Sequence, residues 1–286
     1  MVLLVVDIVD VLSTTVSVQG GSGRMSRWFV GRLWSMWRRF NNLSLISRGG
    51  AVILIALFGL WSALNIVGWW LIVRVFHPDA PETDVIYSVT SLMIGRGQPA
   101  VEISPLATTL IGLSGVTLTS IALAYVIAVV GAVAFLRHVA STLATLGSSP
   151  QDVYDRNFTS EGYRNDFDLH LVSLAPNLVH AATKFLAFPV VRAFQPKTRH
   201  HSLPVMLTSV HHGLALAARD GHRLPTAVEA PWLRAVDQLL TVYGFDADDE
   251  DEFHCVSDVL KGFEQREERL LAWVDYAGWS KDDVYQ

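Results

Sequence analysis

The chain has 286 residues, 51% hydrophobic and 17% charged, with a mean hydropathy of +0.33. Soluble domains carry about 25% charged residues, so this composition excludes a wholly soluble enzyme. The single cysteine, Cys255, excludes an intrachain disulfide scaffold and a cysteine-rich zinc site, and its lack of a partner fits a reducing cytosol. The charge is also divided along the chain: residues 1–149 hold nine arginines, no lysine and six acids, net +3, whereas residues 150–286 carry net −8. That division reads as a membrane portion joined to a water-soluble portion.

The first residues, MVLLVVDIVDVL, are apolar but carry Asp7 and Asp10 without a basic flank, which makes a poor signal peptide. The Gly-rich run at Gln19–Gly23 reads as a linker. Residues 1–24 are therefore expected to be a poorly ordered extension. Met25 opens the basic stretch, so translation beginning there rather than at Met1 is the alternative. Arg24–Phe40 mixes Arg24, Arg27, Arg32, Arg38 and Arg39 with Trp28, Phe29, Trp34, Trp37 and Phe40. Arginine meeting anionic lipid beside aromatics at headgroup level predicts a basic interfacial helix over 25–48. A plain cytoplasmic extension held inside by its charge is the other reading.

Ala51 to Val73 is 23 residues without a charge. At ~1.5 Å per residue that is about 34 Å of helix, enough to cross a ~30 Å hydrocarbon core, and it predicts a first span over 51–76. Ile103 to Leu136 is a further 34 uncharged residues. It reads either as one long helix opening at Pro105 or as a tight hairpin of two spans. No turn signal divides it, so one span over 103–137 is preferred. Six arginines precede the first span, Arg137 and His138 follow the second, and the intervening loop carries Asp79, Glu82, Asp84 and Glu102. By the positive-inside rule both termini are cytoplasmic. The expected place is the cell's inner (plasma) membrane, as a multi-pass protein.

The loop between the spans is unusual. After Pro78-Asp-Ala-Pro81, the 11 uncharged residues from Val85 to Gly95 are too few to cross and enough to enter halfway. Non-helical backbone is tolerated at membrane depth only inside protein or against a water-filled cavity. A short apolar helix followed by Gly95-Arg96-Gly97 therefore suggests a re-entrant pore loop over 83–98. Glycine permits the φ/ψ values that turn successive carbonyls toward one axis, where they replace an ion's water shell.

On these residues, 51–137 resembles the pore module of prokaryotic two-transmembrane potassium channels, whose filter reads Thr-Val-Gly-Tyr-Gly-Asp. The matching run here is Met93-Ile94-Gly95-Arg96-Gly97-Gln98, preceded by Ser88-Val-Thr-Ser91. Tyr125, within Ala-Leu-Ala-Tyr-Val-Ile, is similar to part of the family's inner helix. Lys184–Val190 resembles the cytosolic extension of one bacterial branch. The resemblance implies an all-α membrane protein with two transmembrane helices flanking a re-entrant pore loop, followed by a cytoplasmic helical domain. It also implies a homotetramer, since two spans and one loop supply a quarter of a pore. The filter would be Thr90, Ser91, Leu92, Met93, Ile94, Gly95, Arg96 and Gly97, and the gating hinge Gly115 or Gly112. Close helix packing is the competing role for those two glycines. No cofactor is expected beyond a permeant monovalent cation, potassium in the family.

Three departures bear on selectivity. Met93 replaces the Thr that supplies a ring of hydroxyl ligands, Arg96 replaces the Tyr, and Gln98 the Asp. Packed behind the filter, Arg96 would need a carboxylate from Glu102, Asp84 or Glu82. Pointed into the pore, it would set four cations at the mouth of a tetramer and oppose cation entry. A non-conducting subunit with a regulatory or assembly role is therefore the alternative function.

Residues 150–286 predict a helical domain with breaks at Gly147–Pro150, Pro196–His201, Gly221–Pro225 and Tyr243–Asp246. Phe253, Val256, Leu260 and Phe263, then Leu270, Leu271 and Val274, mark one face of a last helix. No nucleotide-binding domain pattern is evident. His200-His201 and His211-His212 lack carboxylates at ligand spacing, so no metal is expected. The acidic run 246–252 lacks the glycine of a calcium loop. No catalytic motif occurs, and an enzyme is not expected. With the basic residues flanking a span and the soluble half acidic, membrane lipid is the expected partner and nucleic acid is not.

Overall fold

The computed structural model describes residues 2–16, 23–37, 43–160, 162–164, 166–222, 224–244 and 256–286. These fall into two compact units. The first comprises Met1–Met36, Ala51–Val130 and Ala187–Val190; the second comprises Trp37–Gly50, Gly131–Leu186 and Val191–Gln286.

Five helices open the chain: α1 (Val2–Val16), α2 (Arg24–Trp37), α3 (Leu43–Phe76), α4 (Glu82–Ile94) and α5 (Pro105–Leu146). Within α3 and α5, Ser47–Phe76 and Pro105–Leu146 are long and apolar enough to span a bilayer. Only 33% and 22% of their most apolar stretches are buried inside the chain. A core helix of a soluble protein would be mostly buried, whereas these two leave most of their apolar surface uncovered by the rest of the chain. The start of α5 is fixed by Ser104, whose hydroxyl accepts from the Ala107 N–H at 3.4 Å, and by Pro105, whose fixed φ suits a first turn. From there α5 runs unbroken for 42 residues, with no hairpin.

In the first unit, residues 2–16, expected to be poorly ordered, are helical instead. The reason lies in two side chains that α1 contributes to the start of α2. Asp10 Oδ1 accepts from the Met25 and Ser26 backbone N–H groups at 3.2 and 3.3 Å, and Thr14 Oγ1 accepts from Gly23 N–H at 3.0 Å. The Ser26 hydroxyl donates to the same carboxylate and accepts from Trp61 Nε1 at 3.1 Å. An apolar helix carrying one capping aspartate thus has a reason to order.

The helix expected to lie flat over 25–48 also differs. Ser26 meets Trp61, well inside the uncharged stretch of α3, so α2 begins against the middle of that stretch. It ends at Trp37, and residues 43–48 belong to α3. Arg38, Arg39 and Phe40 lie outside the described residues.

Further contacts join α3 and α5. Trp69 Nε1 donates to Ser114 Oγ at 2.9 Å, and that hydroxyl lies 3.2 Å from Asn65 Oδ1. The ring of Tyr125, buried on α5, packs edge-on to Trp61, Phe58 and Phe188.

The second unit is built around α8 (Leu203–Arg219), buried along nearly its whole length. The other elements are α6 (Pro150–Asn157), a two-stranded antiparallel hairpin of β1 (Phe158–Thr159) and β2 (Gly162–Tyr163), α7 (Phe167–Ala187), α9 (Thr226–Tyr243), α10 (Val256–Tyr276) and α11 (Asp282–Tyr285). Helices α6, α10 and α11 pack on α8. The buried hydroxyls of Thr208 and Ser209 bond back to the carbonyls of Pro204 and Val205, which is how polar groups survive in that core.

The breaks fall where the punctuation is. Ser149 accepts from Asp152 N–H ahead of Pro150, and Gly244 ends α9 at φ +94°. On α10, Phe263, Leu270, Trp273 and Val274 are buried and Leu271 only partly so. Phe253, Cys255 and the acidic run 246–252 lie outside the described residues.

Candidate pore-loop site

Helix α4 starts after Pro81, with Glu82 and Asp84 in its first turn, where carboxylates oppose the positive end of the helix dipole. Val85 and Val89, four residues apart, form one buried stripe that packs with Val73 of α3 and Ile111 of α5. Leu92, Met93, Val101 and Ile103 close around this cluster. The Arg74 guanidinium reaches the Ala80 carbonyl at 2.5 Å and fixes the turn into α4.

The far end of α4 is terminated by Gly95, in the left-handed region at φ +70°. Its N–H donates to the Leu92 carbonyl at 3.1 Å, and the Arg96 N–H donates to the Ser91 carbonyl at 2.9 Å. This pair of bonds is a Schellman cap, which satisfies the last carbonyls of a helix and favours glycine at that position. Gly97 is likewise at positive φ, +93°.

After Gly97 the chain turns back along α4. The buried Ser88 hydroxyl accepts from the Ala100 and Val101 N–H groups at 2.9 and 3.1 Å. Ser88 lies six residues before the end of α4, so the returning strand climbs about 9 Å of helix before α5 begins. Sequence reasoning singled out Ser88 only as part of a similar stretch and missed this clasp. A serine in mid-helix on the same side as Val85 was the available signal.

The sequence-predicted filter residues are placed as follows. Thr90, Ser91, Leu92, Met93 and Ile94 form the last helical turn and a half, and Gly95, Arg96 and Gly97 form the exposed turn after it. The Thr90 hydroxyl bonds to the Ile86 carbonyl of its own helix at 2.6 Å. Arg96 is exposed and makes no ion pair with Glu82, Asp84 or Glu102 among the described residues.

The two candidate hinge glycines both lie against this loop. Gly112 is beside the Leu92 carbonyl, and a methyl group at Gly115 would overlap the Met93 carbonyl, with its carbon only 2.9 Å away. The absence of a side chain at Gly115 therefore lets the end of α4 approach α5 closely.

A second polar cluster was also missed. Asp7 and Asp10 are 1% and 5% exposed on α1, in the unit that holds most of the two long apolar helices. Two carboxylates three apart in an apolar stretch are the signal the sequence offers for it. The paired histidines do not converge. His201 Nδ1 lies 2.9 Å from Ser141 Oγ, His211 Nε2 3.2 Å from the Phe263 carbonyl, and His212 Nδ1 2.6 Å from Glu267 Oε1. Among the described residues no three His, Cys, Asp or Glu side chains form a group that could hold a metal ion.

Comparison with known proteins supports the membrane assignment. The chain is 24% identical over 225 residues to the uncharacterized membrane protein YdjJ of Bacillus subtilis (strain 168), covering 73% of this chain and 65% of that protein's length. No family model and no solved structure matches the chain. Together with the two long apolar helices, this identifies a mostly helical membrane protein.

Proposed function

We propose that the chain is the pore-forming subunit of a cation channel resembling the potassium-channel family. In this reading α3 and α5 both cross the membrane, the termini are cytoplasmic, and four copies surround a central path. The observation that carries it is the seat of the Met93 carbonyl against Gly115. Gly115 is ten residues into α5, so the end of α4 lies about 15 Å along that helix, half of a ~30 Å hydrocarbon core. The returning strand, clasped by Ser88, brings the chain back toward the start of α5. A helix that enters halfway and a strand that climbs out is the layout a pore loop requires.

A second reading has its own support. The Ser91 and Leu92 carbonyls are taken by the Schellman bonds, and Arg96 sits where the family has an aromatic residue. A subunit so altered would not conduct and would act in assembly or regulation. The deciding experiment is ion flux through purified protein in liposomes under opposed potassium and sodium gradients. Reversal near the potassium potential indicates a selective pore, and reversal near zero a weakly selective one. Flux at background with an intact tetramer, both natively and after Met93→Thr, Arg96→Tyr and Gln98→Asp, refutes conduction.

A further inference from the structure

A cavity of 300 Å³ opens within the second unit, lined by Ser47, Arg48, Arg137, Lys197, Thr198 and His201. Its three permanent cations come from three separate segments: the first turns of α3, the last third of α5 and the stretch before α8. No carboxylate lines it, and Arg48, Arg137 and Lys197 make no ion pair among the described residues. Like charges gathered without a counter-ion repel one another, and an anion seated among them removes that cost. The contrast with residues 150–286, net −8 even with Lys197 counted, makes the site a local positive island.

Two further features narrow the anion. Arg48 lies three residues before the uncharged stretch that begins at Ala51, and Arg137 directly follows the one that ends at Leu136. Both therefore sit at the headgroup level of their helices. The cavity also shares Arg137, Gln195, Pro196 and His201 with an adjoining cleft walled by apolar Val133, Leu136, Phe194 and Leu203. A charged mouth beside an apolar wall suits an amphiphile better than a free ion.

We infer that this cavity binds a phosphate anion, and that the anion is the headgroup phosphate of an acidic glycerophospholipid. Arg48, Arg137 and Lys197 supply the charge, with the Ser47 and Thr198 hydroxyls beside them. Occupancy ties the start of the first span, the end of the second and the segment leading into α8 to one ligand. The inference does not depend on conduction, because its readout is binding.

The test is native mass spectrometry of the full chain in detergent, titrated separately with dioleoyl phosphatidylglycerol, dioleoyl phosphatidylcholine and inorganic phosphate. The expected result is tighter binding of phosphatidylglycerol than of phosphatidylcholine. Removing each cation should weaken it about fivefold, so Arg137→Gln with Lys197→Gln should weaken it about 25-fold. Arg234→Gln, an exposed change elsewhere in the unit, should leave it unchanged. These residues are exposed, and an unaltered melting curve of the double variant confirms that folding is intact. Full displacement of the lipid by millimolar inorganic phosphate would keep the anion site and assign it to soluble phosphate. Equal binding of the two lipids, or wild-type affinity in the double variant, overturns the inference.

Discussion

His211 offers the sharpest test of the helical domain. It is fully buried on α8, and its Nε2 donates to the Phe263 carbonyl at 3.2 Å, so the other ring nitrogen, Nδ1, is the unprotonated one and has no partner among the described residues. Burial is the main cause that pushes its pKa down from 6.5 to about 4, reinforced by the nearby Arg266 charge and opposed by the Phe263 bond, Glu267 and Asp237. Unfolding exposes the ring, which then takes a proton at its ordinary pKa. Between pH 6.5 and 4 the unfolded chain binds more protons than the folded one, so stability must fall as the pH falls. The full difference is worth roughly 3 kcal/mol, of which roughly 2 kcal/mol is already lost at pH 5. In a unit of this size that corresponds to about 4–8 °C of melting temperature. His211→Gln keeps an N–H donor for Phe263 and removes the titration. Thermal unfolding of detergent-solubilised protein, followed by near-ultraviolet circular dichroism at pH 7 and 5, measures both. Glu267 does not confound the comparison of pH 7 with pH 5. Its carboxyl is held below the ordinary 4.5 chiefly by the His212 hydrogen bond, so its contribution is lost only as pH falls below that value. Equal acid sensitivity in the wild type and the Gln variant would refute the reasoning.

Two further substitutions test the packing. Gly115→Ala should cost about 1–3 kcal/mol, because its methyl meets the Met93 backbone, whereas Gly131→Ala on the same helix meets nothing and should gain up to ~1 kcal/mol from helix propensity; equal effects on chemical unfolding would sink the close-approach argument. Asp237→Ala removes the paired acceptor of Arg266, bonded at 2.8–3.0 Å, and a contact of Arg269 at 3.2 Å. With Asp237 one-third exposed and the guanidinia retaining other partners, the expected loss is about 1.5–3 kcal/mol rather than that of a fully buried charge, and a loss under about 0.5 kcal/mol would refute it.

Much of the architecture was legible because it rests on local rules. Uncharged stretches long enough to cross, a proline at the start of α5 and glycines at the ends of α4 and α9 carry their consequences in the sequence. The hairpin β1–β2 was not legible, since two-residue strands have no periodicity to detect. The order of residues 2–16 was not legible either. It depends on Asp10 meeting the start of α2 and Ser26 meeting Trp61, and those partners are 16 and 35 positions apart. A side-chain cap supplied by another helix leaves no spacing signal.

The candidate site shows where such reading divides. A glycine at positive φ after an apolar helix satisfies two different demands equally well. One is a filter that turns carbonyls toward an ion, and the other is a Schellman cap that turns N–H groups back onto the helix. The residue type is the same because the steric requirement is the same, so sequence cannot separate them. Hydrogen bonding separates them in part, since carbonyls that accept from Gly95 and Arg96 have lone pairs committed to the cap. The carbonyls of Gly95, Arg96 and Gly97 come after that cap. They are the ones a cation would have to use in a tetramer, on a turn whose middle residue is an arginine. The Arg96→Tyr change in the flux assay therefore bears on the heart of the proposal: it removes the positive charge from that turn while leaving the cap glycines in place.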